Sequence, residues 1–157
     1  MPPELGEFLA GDSRSGEIEV FSPGEGGPGS RVLRSLLLLR QLGPDDGWFV
    51  TAAISDGVTI TAPEQGTTVA AGEIDVSGLG RGYEATIIVK AFTAGDPTPL
   101  DEPAIAAGGA LETPEPYTTM IDLSGVAVGT TVMILVRGDT GLETDPGEFS
   151  AIAITVG

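Results

Sequence analysis

Neither cysteine nor histidine occurs among the 157 residues of this chain. The first absence excludes a disulfide framework, a thiolate nucleophile and any cysteine-ligated metal. The second removes the side chain best suited to proton transfer near neutral pH. With it go the Ser-His-Asp and Cys-His nucleophile arrangements and the usual zinc, copper and non-haem iron ligand sets. Basic residues are scarce as well: 7 Lys and Arg stand against 23 Asp and Glu, for a formal net charge of −16. That field repels nucleic acid, anionic headgroups and anionic wall polymers, so no nucleic-acid partner is expected, while cations stay admissible. The longest aliphatic run is Leu36 to Leu39, far short of the ~20 residues of a spanning helix, and no membrane insertion is expected. The opening MPPELGEFLAG has neither a basic n-region nor a long apolar h-region, so no secretion signal is expected in the chain as written.

What the chain does have is 24 glycines, 12 prolines and 41% apolar residues, with the apolar residues in short β-branched runs rather than at three-and-four spacing. Helix is disfavoured and an all-β fold is expected. Three strands are predicted in the first part: GEIEVF at 16–21, a long one over 31–42, and WFVTAAI at 48–54. FSPGEGGPGS connects the first two loosely, and Gly43-Pro44-Asp45-Asp46-Gly47 turns tightly between the second and third, which makes an antiparallel meander. Along the middle strand Val32, Leu36 and Leu38 alternate with Leu33, Leu37 and Leu39, so both faces are apolar at the centre and both call for cover.

Ser55-Asp56-Gly57 marks a boundary, dividing the chain into an N-terminal meander, 1–57, and a second unit, 58–157. In the second unit the expected strands are VTITA at 58–62, EIDVSG at 73–78, YEATIIVKAF at 83–92, YTTMIDLS at 117–124, TVMILVRG at 131–138 and FSAIAITV at 149–156, with a weaker edge strand near 104–107. Inward alternation of Ile74 and Val76, Ile87 and Val89, Ile121 and Leu123, Val132 and Ile134, and Ile152 and Ile154 predicts an immunoglobulin-like two-sheet antiparallel sandwich whose core takes the place of a disulfide. The segment 93–116, with prolines at 97, 99, 103, 114 and 116, suits a sandwich edge, where proline discourages further pairing.

ITAPEQGTTV at 60–69 leading into EIDVSG, GYEATIIVKAF, DLSG at 122–125 and ILVRGDTGLETDPGEFSAIAITV resemble the immunoglobulin-like domain associated with bacterial spore germination. The resemblance covers about residues 58–157. It implies a non-catalytic, extracytoplasmic or cell-surface module of the bacterial envelope, with no cofactor and a partner that is an unidentified protein or envelope component. Residues 10–54 are similar to the last strands of a nuclear-transport-factor-two-like fold. That likeness implies that the elements covering the meander are absent here, so Leu36 to Leu39 must be buried on the sandwich or on a second chain, and self-association through residues 16–54 is expected.

Residues that could carry chemistry each have a plainer explanation. Asp139-Thr140-Gly141 matches the aspartic protease triplet, but that chemistry needs two facing copies and the chain has one, so a strand-end turn is expected. Asp139, Glu143 and Asp145 could offer oxygen ligands to calcium, yet their spacing matches no standard loop and a solvated acidic loop is preferred. Glu84 and Lys90, six residues apart, lie about 20 Å apart along a strand and cannot act as a pair. Trp48 and Phe49 could form a glycan platform; an aromatic pair entering a strand is expected in the core. No catalytic, cofactor or metal residue is therefore assigned. The alternatives carried forward are an acid hydrolase using paired carboxylates, recognisable by two acids converging in a concave pocket, and a calcium-stabilised spacer.

Overall fold

The computed structural model describes residues 3–157 apart from 13, 25 and 28, so two positions of the glycine-rich connection at 21–30 lie outside the described residues. The chain is all-β and built from antiparallel sheets. Its strands are β1 (Glu4–Leu5), β2 (Leu9–Asp12), β3 (Ser15–Pro23), β4 (Arg31–Leu42), β5 (Gly47–Ile54), β6 (Thr68–Val69), β7 (Glu73–Gly80), β8 (Thr86–Thr93), β9 (Ala104–Ala107), β10 (Glu115–Asp122), β11 (Thr131–Gly138) and β12 (Phe149–Val156). One large sheet runs β1-β3-β4-β5-β12-β11-β8-β9, with β2 added to β3 and β6 lying parallel to β12, while β10 and β7 form a second, small sheet.

The two sheets close on one core. Val76 of β7, Tyr117 and Ile121 of β10, Ile87 and Val89 of β8, Val132, Ile134 and Val136 of β11, and Ile152, Ile154 and Val156 of β12 form a single buried cluster. Every inward pair read from the alternation lies in it, except Ile74, which is partly buried against it. The period of two places alternate side chains on one face, and removing apolar area from water at roughly 25 cal/mol per Å² holds the layers together. Close approach does the rest at Gly78, where a Cβ would overlap the Thr59 carbonyl and crowd the Tyr117 hydroxyl. That hydroxyl donates to Thr59 O at 2.7 Å, and burial pushes its proton affinity up.

The segment expected as a strand at 58–62 is instead a pair of isolated bridges, Val58 to Gly80 and Ala62 to Ser77. It crosses to the other layer through cis Ala62–Pro63 and ends as β6 on β12. The strand expected from Tyr83 starts late. Tyr83–Ala85 is a 3₁₀ turn in which Glu84 and Ala85 have φ of 52° and 59°, so Tyr83, Glu84 and Ala85 do not share the alternation of Ile87, Val89 and Ala91.

The meander is not a separate sheet. Ala53 of β5 pairs with Ala151 of β12, and the register then aligns Ile18, Leu37, Ala53, Ala151, Leu135 and Lys90 as one row across six strands. The outward face of the sandwich therefore continues as one face of the meander. On that face Val20, Ser22, Ser35, Leu39 and Ala53 are buried. The opposite face continues from the sandwich core, but the second layer does not extend over it. Trp48 and Phe49, expected as core, are 41% and 50% exposed. Trp48, paired with Gln41 and so on the side of Leu39, meets Phe8 edge-on, with ring centroids 5.0 Å apart at 73°. Phe49, paired with Arg40, stands on the uncovered face, and Trp48 stands on the other face near the hairpin end, so neither enters an interior.

The corner between meander and sandwich is bonded closely. Ser55 N donates to Ser150 Oγ at 3.2 Å, Ser150 Oγ donates to Val58 O, and Gly57 N donates to Ser55 Oγ at 3.3 Å. Ser55, Gly57 and Ser150 are all buried.

Candidate functional site

Three places bring polar chemistry together. The first is a cleft of about 310 Å³ at the open edge of the sandwich, lined by Val89, Ala91 and Ala104 of the large sheet, Met120 and Ile121 of the small one, and the proline-rich segment before β9. That segment is pinned to β8 by Leu100 N donating to Ala91 O at 2.8 Å and by a bridge from Phe92 to Pro99. Its conformation is set locally, with Asp96 Oδ1 accepting from Thr98 N at 2.9 Å. Glu73, Asp101, Glu102 and Asp122 stand on the rim, Glu73 directly opposite Asp122 in the β7–β10 register. Sequence reasoning missed this convergence, because it joins residues from three segments by folding alone.

The chemistry available there is limited. All four carboxylates are exposed. The Asp122 carboxyl is held below the usual carboxylate range by its hydrogen bonds with Ser124, whose N–H donates to Oδ1 at 2.8 Å. A carboxyl group used as a general acid must be shifted the other way, by burial or by a shared proton.

The second place is the loop between β11 and β12, which carries the candidate calcium ligands Asp139, Glu143 and Asp145. All three line one open cleft of about 660 Å³ with Ile88 and Arg137, but their carboxylates have different partners. Asp139 Oδ1 accepts from Gly141 N at 3.2 Å and lies 3.9 Å from the Arg137 guanidinium, so the Asp-Thr-Gly triplet is a capped strand-end turn. Glu143 is exposed. Asp145 turns back onto the meander: Oδ1 accepts from Ser22 Oγ at 2.6 Å and from Gly147 N at 3.0 Å, and Oδ2 accepts from Arg34 at 2.6 Å. Burial pushes the Asp145 carboxyl up, but Ser22, Gly147 and Arg34 together outweigh it and hold the carboxyl below its ordinary range. Among the described residues no three acidic side chains are grouped so as to hold a metal ion.

The third is an ion pair across the end of the sandwich. Arg81 donates to both carboxylate oxygens of Glu148 at 2.9 Å, and this hydrogen bonding raises its proton affinity. A side chain at Gly57 would overlap the Glu148 carboxylate and displace it from this pairing. The bidentate geometry fixes β7 against β12.

Lys90 and Glu84 are separated as expected, Glu84 in the turn and Lys90 on the outward face of β8. What the composition concealed is the character of that face. The outward positions of β8, β11 and β12 are Thr86, Ile88, Lys90 and Phe92, then Thr131, Met133, Leu135 and Arg137, then Phe149, Ala151, Ala153 and Thr155. None is a carboxylate, on a chain of net charge −16. Arg137 faces Asp139, whereas Lys90 makes no ion pair among the described residues. The alternation that identified the core also contained this face, read from its other half.

Comparison with protein-family models finds none that matches, and comparison with the curated proteins finds no relative.

Proposed function

We propose that the chain is a non-catalytic binding and structural module of the bacterial cell envelope, an immunoglobulin-like domain of the kind associated with spore germination, working outside the cytoplasm. The observation that carries the binding role is the outward face of β8, β11 and β12, whose strand positions hold no carboxylate and where Lys90 stands among Ile88, Phe92, Met133 and Leu135. A lone ammonium ringed by apolar side chains matches a protein partner that presents a carboxylate among apolar groups, since the pair is strengthened when the surrounding surface excludes water. The perturbed titratable groups favour the same reading. Arg81, Tyr117, Asp122 and Asp145 each hold strands or turns in place, and neither carboxyl among them moves toward neutrality.

The envelope setting rests on the family resemblance, and the module on two sheets closed over a single buried cluster. The test is saturable binding of the purified chain to isolated bacterial envelope fractions, together with an assay for hydrolysis of their polymers. Binding that falls at least about tenfold in Lys90→Glu, with unchanged melting, supports the reading. Hydrolysis abolished by Asp122→Asn would replace it with the acid-hydrolase alternative, and no saturable binding at all would leave a spacer.

A further inference from the structure

The meander face that continues from the sandwich core is bare because the second layer stops short of it. Its rows are Glu19–Leu36–Ile54, Glu17–Leu38–Ala52 and Ser15–Arg40–Phe49, with Leu33 beside Phe21 beyond them. Leu33, Phe49 and Ile54 are each about half exposed, at 50%, 50% and 51%. An apolar groove of about 310 Å³ lies along its flank, between Leu38, Ala52 and Ile54 of the meander and Ile60 of the sandwich. A layer is missing here, and patches of this kind on soluble chains mark interfaces.

Charge indicates which partner can supply that layer. The face carries Glu17 and Glu19 of β3, Glu4 of β1 opposite Phe21, and Arg31 and Arg40 toward the two ends of β4, so three acids meet two bases there, close to balance on a chain of net charge −16. Arg31 already stacks on Phe21, 4.1 Å from the ring centre. Arg40 is exposed and makes no ion pair among the described residues. A second copy of such a chain is repelled over most of its surface, and a two-fold interface must be self-complementary, which the Lys90 face, with cations alone at its strand positions, is not.

We propose that this face pairs with the same face of a second copy. A two-fold axis lying in the plane between the sheets, with the two β4 strands crossing near a right angle, brings Glu17 and Glu19 of each copy beside Arg40 of the other. It stacks Leu36, Leu38 and Ile54 at the centre, and near-orthogonal crossing is one of the two standard ways in which sheets pack. Four strands about 4.8 Å apart and about 25 Å of their length give a footprint of about 500 Å² per copy, or about 1,000 Å² in all, at the lower limit of specific interfaces. The association is therefore weak, in the micromolar range. It goes beyond the proposed envelope role, since it concerns the opposite face from Lys90 and stands or falls separately.

The experiment is sedimentation velocity on the full chain from about 5 to about 500 µM, with circular dichroism to establish folding. The chain should pass from one to two chain masses over that range. Arg40→Glu should weaken association at least tenfold, Glu17→Arg with Glu19→Arg should do the same, and the three changes together should restore it. Ile54→Asp, at an exposed position, should abolish dimers without loss of folding, whereas Lys90→Glu should leave them unchanged. A wild-type chain that stays monomeric at the highest concentration overturns the proposal. So does a dimer indifferent to Arg40→Glu, which would mean that another surface is in contact.

Discussion

The sandwich and the meander are written in the same alternating pattern and end in opposite states. In residues 58–157 the inward half of each strand meets a second sheet, and Val58, Val76, Ile87, Leu123, Val132, Ile134, Val136 and Val156 have no exposure at all. In residues 3–54 one face is buried at Val20, Ser22, Ser35, Leu39 and Ala53 but exposed at Val32, Trp48 and Val50, and the other leaves Leu33, Phe49 and Ile54 exposed. Alternation states which residues share a face; only the presence of a second layer decides whether that face becomes a core. A half-covered sheet keeps its strands because hydrogen-bonded ladders and the joined neighbour carry it, not because it buries much apolar area.

The contrast is sharpest at matched aliphatic residues. Ile134→Ala should lower unfolding free energy by about 3–4 kcal/mol, the cost of lost transfer plus an unfilled cavity, whereas Leu36→Ala should cost under about 1 kcal/mol, both read by urea denaturation. Similar losses at the two positions would show that the meander has a hidden core. The tie between the regions comes next. Asp145→Asn should cost about 2 kcal/mol by weakening charge-assisted bonds with Arg34 and Ser22. The loss should be visible as faster amide exchange in β3 and β4 with β7, β8 and β11 unchanged. Uniform acceleration would mean that the two regions open as one unit.

The smallest effect is the dependence on acid. Because the Asp145 carboxyl is held below its ordinary range in the folded chain, the folded state binds fewer protons than the unfolded one as the solution is acidified. Its contribution is complete above the unfolded value of about 3.9 and is lost as pH falls through the lower folded value. The urea midpoint of the wild type should fall between about pH 5 and about pH 2 more steeply than that of Asp145→Asn. Parallel curves would remove Asp145 from the account of how the meander is held.

Much of this architecture was legible in the residues. The strands at 31–42, 104–107, 131–138 and 149–156 match their observed bounds, because each is an apolar or alternating run flanked by glycine, proline or a turn. The turn at Tyr83–Ala85 was not legible, since its positive φ values fall on Glu84 and Ala85 rather than on glycine or asparagine. The exposure of Phe49 followed from a missing layer and that of Trp48 from its place at the hairpin end, neither of which a local pattern records. Nor could spacing find the partners of Asp145, which lie 111 and 123 residues away in Arg34 and Ser22. The rim of carboxylates on the edge cleft needed three segments to fold before Glu73, Asp101, Glu102 and Asp122 were neighbours. In each case the lost information was long-range.

The single register pair that joins β5 to β12 sits where the sheet divides, because β6 takes the far end of β12 for itself. Beyond that junction the β4–β5 hairpin projects as a lever. From Leu36 to Leu42 it reaches about 20 Å, so a 10° rotation at the junction sweeps its tip through about 3.5 Å. The bonds of Asp145 to Arg34 and Ser22 lie on the short arm, where a shift of a few tenths of an ångström becomes several times larger at Trp48.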